Sequence, residues 1–140
     1  MQLYIPACGD RITLSDPWTF TLYSEYRNVE FGKILGLIPK DQNRYSSYYG
    51  KDLVGYQATL PAGTILECDR VYIRTFNKAN IREANDYDSI TWRVIRPNGK
   101  AAPKQRFWTK LSECCAIQYD PETLLPYRNR VKLFKLVHEA

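Results

Sequence analysis

The sequence predicts a mostly β fold: a small antiparallel barrel with one short helix. Two observations carry that expectation. Apolar and polar residues alternate with period two in several short runs, spaced roughly 8–15 residues apart. Turn signals separate those runs, at Asp16-Pro17, Pro61-Ala62-Gly63 and Pro97-Asn98-Gly99. The chain has 140 residues, 44% hydrophobic and 25% charged. That is the size and balance of one globular domain, spanning 1–140, whose core needs neither disulfide nor metal.

The elements follow in order. Ile12 and Leu14 alternate with Arg11 and Thr13, and after the Asp16-Pro17 turn Trp18, Phe20 and Leu22 repeat with period two, which gives two short strands. SEYRNVEFGKILGLI reads as a short helix with Ser24 as N-cap, weakened by Gly32 and ended by Gly36. PKDQNRYSSYYGKDLVGYQ is polar and Tyr-rich, a long loop of a length that is often functional. Beyond Pro61-Ala62-Gly63 a strand runs on, with Val71, Ile73 and Thr75 on one face and Arg70, Tyr72 and Arg74 on the other. SITWRVI is the next strand, with Ile90, Trp92 and Val94 in phase. RFWTKL is another, reached through a loop over 97–105. LSEC makes a single helical turn and CAIQYD can close the sheet. RVKLFKLV fits a final strand, although Val131, Phe134 and Val137 also share a helical face. A turn-long helix before a final strand is a habit of SH3-like barrels, and an OB-like barrel is the alternative.

IPACGDRITL, WTFTLYSEYRN, LPAGTILECDRVYIR, YDSITWRV and RFWTKLSEC resemble segments of small uncharacterised proteins carried by phages and plasmids, over most of the chain. The resemblance implies a mobile-element accessory protein of the sort that binds host machinery or inhibits host defence. It assigns no residue a role.

Little in the sequence points to catalysis. The one histidine, His138, is the third-last residue, so a cysteine nucleophile at Cys114 or Cys115 lacks a partner nearby in sequence. Cys8, Cys68, Cys114 and Cys115 form no C-x-x-C pair, and reduced thiols are expected rather than zinc ligands, with a Cys8–Cys68 bridge left open. Asp86 and Asp88 can share a cation, but Asp in such a stretch more often caps a turn. Phosphate-cradle and nucleophile-elbow motifs are missing. The expectation is therefore no cofactor, no metal and no enzymatic activity, with a small enzyme of nonstandard site as the third reading. No apolar run is long enough to span a bilayer, and the N-terminus does not read as a signal peptide, so a cytoplasmic protein of the host cell is expected.

Charge is the sharper signal. Residues 1–70 hold seven Lys/Arg against eight Asp/Glu, while 71–140 hold thirteen against seven. Trp92–Lys110 carries six cations and no carboxylate. In strand geometry Arg106, Trp108 and Lys110 project to one side, as do Arg70, Tyr72 and Arg74, with Arg93 opposite Trp92 and with Arg96, Lys100 and Lys104 around the turn. If these faces coincide they form a stacking platform in a positive field, which suits nucleic acid, single strands above all. The competing reading buries the Trp rings and leaves the cations as a solvated face. A second function class is protein docking, as an inhibitor of a host defence or regulatory protein. There the Tyr45, Tyr48 and Tyr49 rings of the loop supply rigid contact area.

Overall fold

A computed structural model describes residues 7–41, 54–73 and 88–125. The expectations placed on Tyr45, Tyr48, Tyr49, Arg74, Asp86, His138 and the terminal run 130–137 lie outside the described residues. The elements are β1 (Arg11–Thr13), β2 (Trp18–Tyr23), α1 (Tyr26–Ile34), β3 (Gly55–Leu60), β4 (Ile65–Tyr72), β5 (Ser89–Ile95) and β6 (Ala101–Lys110), followed by 3₁₀ turns at Leu111–Ala116 and Pro121–Thr123.

The fold is mostly β, with two antiparallel sheets and one α-helix among the described residues. A four-stranded sheet has the order β1-β4-β5-β6, and β2 and β3 form a two-stranded sheet. The described strands thus divide between two hydrogen-bonded sheets instead of one closed ladder. The sheets are continuous through a corner. β1 pairs with β4 through Ile12↔Leu66, and β2 pairs with β3 through Trp18↔Leu60. Between them Leu14 N–H donates to the Thr64 carbonyl and Gly63 N–H to the Leu14 carbonyl. One antiparallel ribbon therefore switches sheets at residues 14–17 and 61–64. Gly63 takes φ +88°, a value the corner requires and L-residues avoid.

Alternation in the sequence sets the core. Trp18, Phe20 and Leu22 of β2 face Ile12, Leu14, Leu66, Cys68, Ile90, Trp92 and Phe107, with Phe31 of α1 closing one side. The Phe107 ring stacks on both Phe20 and Phe31, with centroids 5.3 and 4.5 Å apart.

The helix starts one residue later than the sequence suggests. Glu25 is its N-cap, accepting from Arg27 N–H at 2.8 Å, and Ser24 is buried ahead of it. Its end matches expectation. Gly36, at φ +75°, donates to the Lys33 carbonyl while Leu37 donates to Gly32, which together satisfy the last-turn carbonyls.

The free edge of β1 is partly covered by the segment after the first 3₁₀ turn, through isolated bridges Leu14↔Tyr119 and Arg11↔Leu125. The expected loop over 97–105 is shorter than predicted. Strand β6 begins at Ala101, and Pro103 and Lys104 (φ 59°) occupy a register shift between Arg93↔Arg106 and Ile95↔Ala101. A proline has no ladder donor to lose there, and the shift accommodates the extra residues.

Candidate functional site

The outer face of the four-stranded sheet gathers most of the residues singled out by charge. Register fixes this. Arg93 lies between Glu67 and Arg106, Thr91 between Arg70 and Trp108, and Ser89 between Tyr72 and Lys110. Directly paired residues share a side, so Arg70, Tyr72, Arg93, Arg106, Trp108 and Lys110 all lie on the face opposite Ile90, Trp92 and Phe107. Arg96 and Lys100, at the β5–β6 turn, and Lys104 beyond it are exposed.

A bulge makes this convergence. On the regular part of β4, Leu66 and Cys68 point into the core. Strict alternation would send Arg70 inward too. Instead Cys68 pairs with Trp92 and Arg70 with the next residue, Thr91, leaving Asp69 as the extra residue. Asp69 and Arg70 therefore both face outward.

Two parts of the expected platform are corrected. Trp108 is not a surface ring: it is only 2% exposed. It is held on the outer face by Tyr23 and the start of α1. The Tyr23 ring stacks on it at 5.7 Å and its indole N–H donates to Glu25 Oε2 at 3.0 Å. Asn28 donates to the Trp108 carbonyl at 3.2 Å and accepts from its backbone N–H at 2.8 Å. Among the described strands β6 lies at the edge of its sheet, and the Asn28 amide stands in for a neighbouring strand there. Phe107, Trp108 and Thr109 are consequently all buried, on alternating sides.

The arginines, secondly, are not a bare positive strip. Asp69 sits between two of them. Its Oδ1 lies 3.1 Å from Arg93 Nε, and its Oδ2 accepts from Arg106 Nε at 2.9 Å with Nη2 at 2.8 Å. Arg93 Nε is buried and, although close to Asp69, makes no hydrogen bond of good geometry. On the neighbouring strand Glu67 accepts from Arg11 Nε at 3.0 Å, and Arg11 Nη1 reaches the Gly99 carbonyl at 3.0 Å. Tyr72 remains exposed on this face. Lys110 lies over the Tyr23 ring at 5.0 Å.

Sequence reasoning missed Asp69, Glu67, Arg11 and the Tyr23–Glu25–Arg27 cover. The bulge had a readable signal: apolar positions 66 and 68 are even, while the next, Val71, is odd. Glu25 is fully buried, and its carboxylate meets Arg27 Nε at 2.7 Å as well as the Trp108 indole. This satisfies a charge that could not otherwise leave water.

The thiols are not bonded to one another. All four cysteines are free, so the open Cys8–Cys68 bridge is not formed. Burial pushes the Cys68 thiol far above its usual range. Burial likewise pushes Cys114 up to about 11, against the opposing effect of its contacts with Thr109 and Trp92. Both are protonated at neutral pH and poor nucleophiles. No group of three or more His, Cys, Asp or Glu side chains suited to a metal ion occurs among the described residues. No helix among them is long and apolar enough to cross a membrane. No family model, curated protein or solved structure matches the chain.

Proposed function

We propose that the protein is a non-enzymatic binder of nucleic acid, or of a host complex that handles nucleic acid, as expected of a mobile-element accessory protein. The observation that carries the reading is the gathering of Arg70, Arg93, Arg106 and Lys110 on one sheet face, continued at the β5–β6 turn by exposed Arg96, Lys100 and Lys104. Only Glu67 and Asp69 of the described carboxylates join that face by register, and Trp92–Lys110 contains none. A polyanion is the partner such a field selects. With Trp108 covered, the exposed ring on this face among the described residues is Tyr72, so phosphate contacts carry the affinity and the preference for single strands loses its main support. The short 3₁₀ helix at Leu111–Ala116, followed by a segment that returns to β1, supports an SH3-like arrangement over an OB-like one.

The test is fluorescence-anisotropy titration of the protein into labelled single- and double-stranded DNA and RNA at two salt concentrations. Micromolar or tighter binding with a steep salt slope is the expected result. Absence of binding at low salt to all four probes rejects the reading, and capture of a host protein partner then becomes the next experiment.

A further inference from the structure

We propose that Asp69 is a positioning residue which presets Arg93 and Arg106 as a phosphate clamp, beside Arg70 on the same face, so that this carboxylate strengthens the binding of an anion. The inference deepens the reading above and rests on it for the ligand: a backbone phosphate of nucleic acid.

Arg93 and Arg106 are direct cross-strand partners. Like charges in that position repel, and a sheet retains them only where something offsets the repulsion. Asp69 is placed to do so. The bulge turns it out of the ladder, and each of its oxygens meets a different guanidinium. Arg106 spends its Nε–Nη2 edge on Asp69, which leaves Nη1 for a second acceptor. Arg93 approaches Asp69 through Nε, without good hydrogen-bond geometry, and no hydrogen bond holds its terminal nitrogens to Asp69. Arg70, next in sequence to Asp69 and exposed, is turned to the same side by the same bulge. Two guanidiniums thus share one carboxylate, and a third cation, Arg70, lies on the same face. The cluster keeps a net positive charge, while the side-chain freedom that a flexible arginine loses on binding is already given up. Planar forks held in place suit the oxygens of a phosphate better than a mobile ammonium does.

The sign of one charge substitution separates positioning from simple electrostatics. Asp69→Asn and Asp16→Asn both remove one negative charge; Asp16 lies exposed on the β1–β2 turn. If only net charge matters, both variants bind a DNA duplex as tightly as wild type or tighter. The clamp predicts that Asp16→Asn does so, whereas Asp69→Asn binds at least tenfold more weakly at a temperature where its melting curve shows it fully folded. Arg93→Lys and Arg106→Lys keep the charge but lose the fork, and each is expected to weaken binding about tenfold. Equal or tighter binding by Asp69→Asn, or full binding by both lysine variants, overturns the inference while leaving the nucleic-acid reading intact. An independent readout comes from the ¹⁵N NMR signals of Arg93 and Arg106 Nε–Hε, titrated with inorganic pyrophosphate. Saturable shifts that vanish in Asp69→Asn uphold the clamp even if no nucleic acid binds. Unmoved signals in the wild type overturn it.

Discussion

Asn28 and Trp108 show how much one pair of side chains can decide. The Asn28 amide makes two hydrogen bonds to the β6 backbone on the side where no described strand pairs. Asn28→Ala leaves a buried N–H and C=O with nothing to replace the amide. Two such losses cost about 2–4 kcal/mol, measurable as a lower urea midpoint. Trp108→Ala removes a buried indole and also strips a donor from the buried Glu25 carboxylate, so a loss of about 3–5 kcal/mol is expected. Weakened nucleic-acid binding by that variant would thus report unfolding and not the loss of a stacking ring. Cys114 gives a pH signature. Its folded value, about 11, lies above its ordinary 9.0, so its stabilising effect is complete below pH 9.0 and is lost as pH rises through about 11. Within that window wild-type stability falls by up to about 1.4 kcal/mol per pH unit more than that of Cys114→Ala, as denaturation at stepped pH would show.

At the scale of elements, glycine positions separate conformational strain from steric fit. Gly36 ends α1 at φ +75°, and a Cβ there would meet nothing within 4 Å. Gly36→Ala therefore costs only the left-handed backbone strain, about 1 kcal/mol. Gly32 is different: its added Cβ would fall 2.4 Å from Ile38 Cδ1. Gly32→Ala gains helix propensity, about 1 kcal/mol, yet displaces the buried Ile38, so a net loss of about 1–2 kcal/mol is expected from thermal melts. The elements themselves were largely legible. Period-two runs located β2, β4, β5 and β6, and Gly36 located the end of α1. The N-cap was misplaced because Ser24 is a good capping type, while Glu25 takes the role through a carboxylate shared with Trp108 and Arg27. The side on which Trp108 lies followed from the strand period, but its cover did not. Burial there comes from α1 and Tyr23, about eighty positions away in the chain, and local pattern carries no trace of that packing.

For the molecule as a whole, the uneven charge of the sequence becomes a face. Its direction was readable from alternation once the two aromatic strands were in register. Its internal neutralisation was not, because Asp69 belongs to the acidic half of the chain and reaches Arg93 and Arg106 only through the tertiary fold. If phosphates are met along the β5–β6 hairpin, removing Lys100 and Lys104 together weakens binding to every duplex alike. It also lowers the slope of log affinity against log salt by about 1.8, since each cation contributes about 0.9. A variant pair that leaves the slope unchanged would place the polyanion elsewhere on the surface.

The sheet-switching ribbon carries a kinetic consequence. The β5–β6 hairpin joins residues close in sequence, whereas β1 meets β4 across more than fifty residues, as in Arg11↔Glu67. Loop-closure entropy must be met before that distant pairing stabilises anything, so the chain is expected to fold in milliseconds to seconds, slowly for its size. The hairpin would already be structured at the barrier, while the corner at Leu14 and Gly63 closes after it. Substitutions in β1 should then accelerate unfolding and barely change the refolding rate in stopped-flow traces.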